Sequence, residues 1–319
     1  MQAVLSSDFS IAQFRFLERL LLVHGRWSYL RMCKFLRYFF YKNFTFTLCH
    51  LWYAFFSGFS AQTLYDPIFI SCYNVFYTSL PVLAMGIFDQ DVDDRVSLRY
   101  PLLYTPGHEG LLFNKLEFLK SVAHGIVSSL ILFFIPYGTF RNAVSTDGVN
   151  LDDHQLFGTV VSTMLVLVVT AQIALDTAYW TIFNHVVIWG SVAFYFATTL
   201  VLSDLFEMSY LGALRMTLSS GQFWFALFLV LTILVVPVVA TRFYRTSTQP
   251  SLSDRCRYKQ RVSRLRARPE RLVRRGSART SRRSVRSGYA FAHQEGFGRL
   301  ITSGKIMKQH KSEAPTPMP

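Results

Sequence analysis

Six apolar runs follow one another along the middle of the chain: Asn43–Tyr65, Ile68–Phe88, Phe118–Phe140, Leu156–Leu175, Trp180–Leu202 and Gln222–Thr241. They contain no Lys, Arg, Asp or Glu apart from Lys120, near the start of the third. A hydrocarbon layer of about 30 Å needs about 20 apolar residues in a helix, so each run is long enough to cross. One such run would suit a core helix; six in succession do not. The pattern predicts an all-α membrane protein with six transmembrane helices, a cytosolic lead-in helix and a disordered basic C-terminal tail. Gln13 to Lys42 meets no strong helix breaker and runs straight into the first span. It reads either as a stalk that carries motion into the bilayer or as an ordinary amphipathic approach segment.

Composition agrees. The chain is 51% hydrophobic and 16% charged, where a soluble domain has about 25% charged residues. Charge is unevenly placed. Residues 244–319 hold 19 Lys+Arg against 4 Asp+Glu, and the rest of the chain is nearly neutral. Arg15, Arg19, Arg26, Arg31, Lys34, Arg37 and Lys42 precede the first span. By the positive-inside rule, both termini are cytosolic. The loops expected outside carry Asp66, Asp147, Asp152, Asp153, Asp204 and Glu207 but only Arg141 and Arg215 as cations. Met1–Ser10 does not read as a cleavable signal peptide, so the first span would direct insertion. Cys33, Cys49, Cys72 and Cys256 are scattered and give no disulfide framework or metal cluster.

Several residues are candidates for chemistry. Lys42 sits where the lead-in helix turns apolar. It is either an interface lysine whose stem snorkels or a buried cation for a lipid head group, and placement alone does not separate the two. Asn43, Thr47, His50, Ala54, Ser57 and Ala61 follow one helical direction, a face suited to close packing or to polar contacts. In the second span Asn74, Tyr77, Thr78 and Pro81 share a face. Pro81 has no N–H for the Tyr77 carbonyl, which leaves either a simple kink or a polar site in the membrane. The following DQDVDD stretch reads as a solvated acidic loop. In the tail, Ser251–Ser287 is Arg- and Ser-rich and reads as disordered. Its expected partner is anionic inner-leaflet lipid and not nucleic acid. Phosphorylation at RRGS (Arg274–Ser277) or RRS (Arg282–Ser284) would weaken that attraction. A plain positive-inside tail is the alternative.

Four stretches together carry a family resemblance: SSDFSIAQFRFLERLLLVHGRWSYLR from Ser6, FYKNF from Phe40, YNVFYTSLPVLAMGIFDQDV from Tyr73 and GYAFAHQEGFG from Gly288. They resemble, in order and over essentially the whole chain, the C-terminal part of type IV P-type ATPases, the phospholipid flippases, and most closely the class I 8B-like branch. The resemblance implies residues 1–34 as the end of a phosphorylation domain with its stalk helix, 35–243 as the six-span transport domain and 244–319 as a regulatory tail. It implies a pump that moves phospholipid to the cytosolic leaflet, with Lys42, Asn43 and Asn74 in the head-group path beside Thr78 and Pro81. It implies an autoinhibitory patch at Gly288, Tyr289, Ala290 and Phe291, and a CDC50-family glycoprotein partner, for which the loops Arg141–Gln155 and Ser203–Gly221 are candidate contacts. Residence in the plasma membrane or in Golgi and endosomal membranes follows too. ATP and Mg2+ are implied for the full-length family, but DKTG, a TGES-type loop and GDGxND are absent from this sequence. Alone, the chain reads as a truncated product that should not hydrolyse ATP. The rival function is a catalytically inactive membrane protein that binds the partner glycoprotein or competes with the pump.

Overall fold

A computed structural model describes residues 6–141, 153–205 and 213–277. The described residues are almost all helical or in turns, with no strand among them. A short helical turn, Phe16–Arg19, and a π turn, Leu20–Gly25, lead into α1, Arg26–Phe56. Then come α2 (Pro67–Cys72), α3 (Ser79–Phe88), α4 (Asp94–Arg99), α5 (Lys115–Phe140), α6 (His154–Asp176), α7 (Ile182–Leu205), α8 (Ala213–Ser219), α9 (Gly221–Thr248) and α10 (Leu252–Ser277).

Five stretches are long and apolar enough to cross a membrane: Pro67–Phe88, Lys115–Phe140, His154–Asp176, Ile182–Val201 and Gly221–Thr248. The run at 43–65 is not among them. Its helical part ends at Phe56, so the apolar portion from Asn43 rises only about 21 Å at 1.5 Å per residue. Gly58 ends the helix at φ 62°, with the Phe59 N–H on the Ala54 carbonyl at 3.0 Å, a glycine cap of the left-handed kind. Residues 57–66 then return as irregular chain against α6, where Leu64 O lies 2.4 Å from the position a Cβ on Gly158 would take. Residues 58–63 of this return are exposed, and only Leu64 and Tyr65 are buried against the bundle.

Helix α6 is the axis of the bundle. Val160, Val161, Met164, Leu165, Val169 and Ile173 along it are fully buried. Helix α1 packs along α5, and Gly125 permits the approach: a Cβ there would sit 3.0 Å from Phe44 Cβ and 3.2 Å from Tyr41 O. The inward face of α1 is Tyr38, Tyr41, Lys42, Thr45 and Cys49, not the Asn43–Thr47–His50 face read from the sequence. Asn43 and His50 are half-buried and Thr47 is exposed. Helix α5 starts at an Asn114 cap, whose Oδ1 accepts the Glu117 N–H at 2.9 Å.

The tail starts differently from its composition. Disorder over 251–287 does not hold for the first part, because Leu252–Ser277 is helix. Ser251 and Asp254 form a capping box: Ser251 Oγ accepts the Asp254 N–H at 3.2 Å and Asp254 Oδ2 accepts the Ser251 N–H at 3.2 Å. The described residues up to Arg257 form one compact unit, and those from Tyr258 on belong to another.

Candidate functional site

The second span is one crossing built from two helices with a break between them. Tyr73–Tyr77 winds as a π turn and Thr78 leaves the helical region at φ −125°, ψ −9°. Pro81 lies in the first turn of α3, where its missing N–H costs least. π turns of this kind recur at functional sites. Here the break aims Thr78 at α1.

Lys42 meets it there. Lys42 is 3% exposed and Thr78 is 2% exposed. Lys42 Nζ donates to Thr78 Oγ1 at 2.7 Å, and that hydroxyl donates onward to the Tyr73 carbonyl at 2.8 Å. Tyr73 closes the loop, its OH donating to the Lys42 carbonyl at 3.2 Å. The rings of Phe39 and Tyr73 lie 5.8 and 5.7 Å from Nζ. Among the described residues no carboxylate pairs with Lys42. Burying an ammonium without a counter-ion costs several kcal/mol. A neutral hydroxyl and two ring faces compensate only part of that cost. The arrangement is a buried cation with spare donors, which suits an anionic oxygen.

The other sequence candidates sit around this cluster rather than in it. Asn43 is half-buried and Asn74 is exposed. Neither side chain makes a hydrogen bond among the described residues. Pro81 is buried, and Tyr77 OH reaches Thr198 Oγ1 of α7 at 3.1 Å. The patch Gly288, Tyr289, Ala290 and Phe291 lies outside the described residues. Tyr73 was not picked out from the sequence. Its five-residue offset from Thr78 has no meaning in an α-helix and gains one only in a π turn.

The DQDVDD stretch is not a solvated loop. Asp89 is fully buried and Asp91 nearly so. Asp89 Oδ2 takes Lys34 Nζ at 2.6 Å, while Oδ1 accepts the N–H groups of Ala178 and Tyr179 at 2.9 and 2.8 Å. One carboxylate thus ties α1 to the turn between α6 and α7. Arg31 Nε donates to the Asp89 carbonyl. Burial pulls the Arg31 guanidinium below its usual value, and the Asp89 charge opposes that shift. Asp91 forms a forked pair with Arg26. Asp176 of α6, whose carbonyl accepts Lys34 Nζ at 3.2 Å, pairs with Arg242 of α9 at 2.8 Å. The signal for this pairing was present in Arg26, Arg31 and Lys34, spaced so that cations recur along one helix.

Comparison with known proteins decides the family. The family described as "Phospholipid-translocating P-type ATPase C-terminal" matches residues 4–251. The chain belongs to this family. It is 55% identical over 314 residues to phospholipid-transporting ATPase ID of Mus musculus, covering 96% of this chain and 26% of that protein. It is 54% identical over 330 residues to the probable phospholipid-transporting ATPase IM of Homo sapiens, covering 99% of this chain and 27% of that protein. Phospholipid-transporting ATPase IC of Xenopus tropicalis is 49% identical over 323 residues, 98% of this chain and 25% of that protein. The chain therefore spans about a quarter of the length of these relatives. Among the described residues no group of three or more His, Cys, Asp or Glu side chains is placed to hold a metal ion.

Proposed function

We propose that this chain is the transport portion of an ATP-driven phospholipid flippase and handles the lipid head group at the break in the second span. The observation that carries this reading is Lys42: a buried cation with no carboxylate partner, held by the hydroxyl of Thr78 beside a π turn. An ion pair would have neutralised a merely structural lysine. An anionic head-group oxygen is a stronger acceptor than a hydroxyl, by about a factor of two in hydrogen-bond energy. It would replace Thr78 on Nζ while the acyl chains stay in the bilayer. Asn43 and Asn74, at the margin of the cluster, would supply hydrogen bonds to the rest of the head group. ATP and Mg2+ would act in the part of such a pump that this chain does not contain. Transport would run from the outer to the cytosolic leaflet, with both termini cytosolic. A CDC50-family glycoprotein would be the partner subunit, and the basic tail would lie on anionic lipid.

The test is photocrosslinking in nanodiscs with a phospholipid that carries a diazirine near its head group. Wild-type chain should be labelled at peptides spanning Tyr38–Phe46 and Tyr73–Pro81. Lys42→Met should abolish that labelling and leave acyl-chain labelling of α7 unchanged. Equal head-group labelling in both proteins would refute the site. Co-purification with the glycoprotein but no head-group labelling would favour the non-transporting alternative.

A further inference from the structure

Arg26 begins α1 and is buried, and its whole guanidinium is committed. It forks onto the Asp91 carboxylate, with Nη1 at 2.9 Å from Oδ1. Nη1 also lies 3.4 Å from Ser97 Oγ, and Nε donates to the Leu103 carbonyl at 2.9 Å. All of these acceptors belong to one connector, the segment 89–114 between α3 and α5.

The same connector receives the start of α10. Arg257 Nε donates to the Asp91 carbonyl at 2.9 Å. Cys256 is 4% exposed and packs with Val92 and Leu103. Asp91 therefore holds α1 by its carboxylate and α10 by its carbonyl. Leu103 does the converse, holding Arg26 by its carbonyl and Cys256 by its side chain. Among the described residues Arg26 makes no hydrogen bond to α10. Asp91 and Leu103 therefore each touch both helices. A cavity of about 470 Å³ lies beside them, lined by Arg26, Tyr29, Asp91, His108, Ser251 and Leu252 among others. The docked turn of α10 is thus not braced on that side.

We propose that the Arg26–Asp91 pair is a latch through which α1 controls the docking of the first turn of α10. When Arg26 leaves Asp91, a nearly buried carboxylate loses its only forked partner. Removing one member of such a pair is strongly destabilising because the other is left as an uncompensated charge. The connector relieves this by turning Asp91 outward, and the same turn withdraws the carbonyl from Arg257 and opens the Val92–Leu103 seat of Cys256. The coupling is reciprocal by linkage: undocking α10 weakens the hold on Arg26. This inference goes beyond the transport reading and does not rest on it.

Cys256 is its own reporter. The 319-residue chain in nanodiscs is treated with N-ethylmaleimide, and the rate at each cysteine is read by peptide mass spectrometry. Cys49, buried in the bundle core, reports global loosening. Wild-type Cys256 should be protected. Arg26→Lys keeps the charge but loses the fork. It should raise Cys256 labelling about tenfold, as a local opening, and leave Cys49 unchanged. Arg26→Gln and Asp91→Asn should raise it further. If Arg26→Gln also exposes Cys49, that variant has unfolded and Arg26→Lys alone decides. Unchanged Cys256 labelling in Arg26→Lys overturns the latch. So does a rise in Arg26→Lys that Cys49 shares equally, or rapid labelling of Cys256 in the wild type.

Discussion

Replacing Asp89 tests whether the buried charges or the apolar packing hold α1 against the rest of the bundle. Asp89 is fully buried, and the Lys34 side chain is 18% exposed. Their separation of 2.6 Å corresponds to a Coulomb attraction of several kcal/mol at an effective dielectric constant of about 20. Desolvation of both groups offsets much of it. Breaking a fully buried pair costs about 3–5 kcal/mol. Lys34 is partly wet and keeps the Asp176 carbonyl at 3.2 Å, so Asp89→Asn should cost less, about 2–3 kcal/mol. The asparagine oxygen can still accept the Ala178 and Tyr179 N–H groups. Asp89→Ala orphans both, at about 1–3 kcal/mol each, and should be the worse variant. Lys34→Met leaves the carboxylate with only the two amide donors. The double variant Asp89→Asn/Lys34→Met removes the mismatch that each single change creates. It should therefore recover about 2 kcal/mol relative to the sum of the singles, well above the about 0.5 kcal/mol scatter of independent sites. The assay is SDS-titrated unfolding in mixed micelles, followed by tryptophan fluorescence. If the two single effects add, Asp89 and Lys34 are not coupled and this pair does not hold α1.

Further outcomes follow from the same contacts. Gly158→Ala places a Cβ 2.4 Å from the Leu64 carbonyl oxygen; the backbone has to yield, so the protein should lose about 1–3 kcal/mol in the same unfolding assay. Gly125→Ala, whose nearest neighbours are at 3.0 and 3.2 Å, should be milder. Tyr195→Phe removes a hydroxyl that lies 2.8 Å from Thr163 and 3.3 Å from Ser162, and should cost about 1 kcal/mol. On the transport reading, Thr78→Val should raise the crosslinking yield of the head-group probe, because Lys42 loses its protein acceptor, and Thr78→Ser should behave as wild type. Ser277→Asp combined with Ser284→Asp should reduce sedimentation of the chain's tail with anionic vesicles; unchanged binding would show that the basic residues act elsewhere.

The apolar runs located most of the helices. Phe118–Phe140, Leu156–Leu175 and Trp180–Leu202 correspond to α5, α6 and α7 within a few residues, because a long uncharged run has few other places to go. The run at 43–65 misled for a local reason. Absence of charge does not mark where a helix stops, and Gly58 ends this one before the exposed residues 58–63. The face of α1 was also misread. Polar and small residues mark a packing face only when the neighbour is polar or close, and α5 instead takes Tyr41, Thr45 and Cys49. Lys42 and Thr78 were visible singly, yet their contact spans 36 residues and depends on a π turn that no periodicity announced. Asp89 and Asp91 were seen and assigned to solvent, since a run of carboxylates shows its partners only once α1 is laid beside it.

Three cations along α1 argue the division of labour in this membrane domain. Arg26 and Lys34 each face a buried carboxylate. Such pairs fix register, and an incoming ligand would have to displace a full charge. Lys42, two turns further toward the apolar end of the same helix, faces the Thr78 hydroxyl and two ring faces, with no carboxylate partner among the described residues. A hydroxyl can be exchanged for a phosphate or carboxylate oxygen with gain, since the new acceptor carries charge. The two kinds of contact sit on one rigid helix, so a displacement of α1 that strains the paired cations also carries Lys42 past the break in the second span. Moving a helix anchored by Asp89 and Asp91 is costly, and the energy would come from outside these residues. Exchanging the partner of Lys42 is not costly. On the transport reading, this asymmetry would give a stiff connection to the source of work and a weakly held cation where the cargo would change hands.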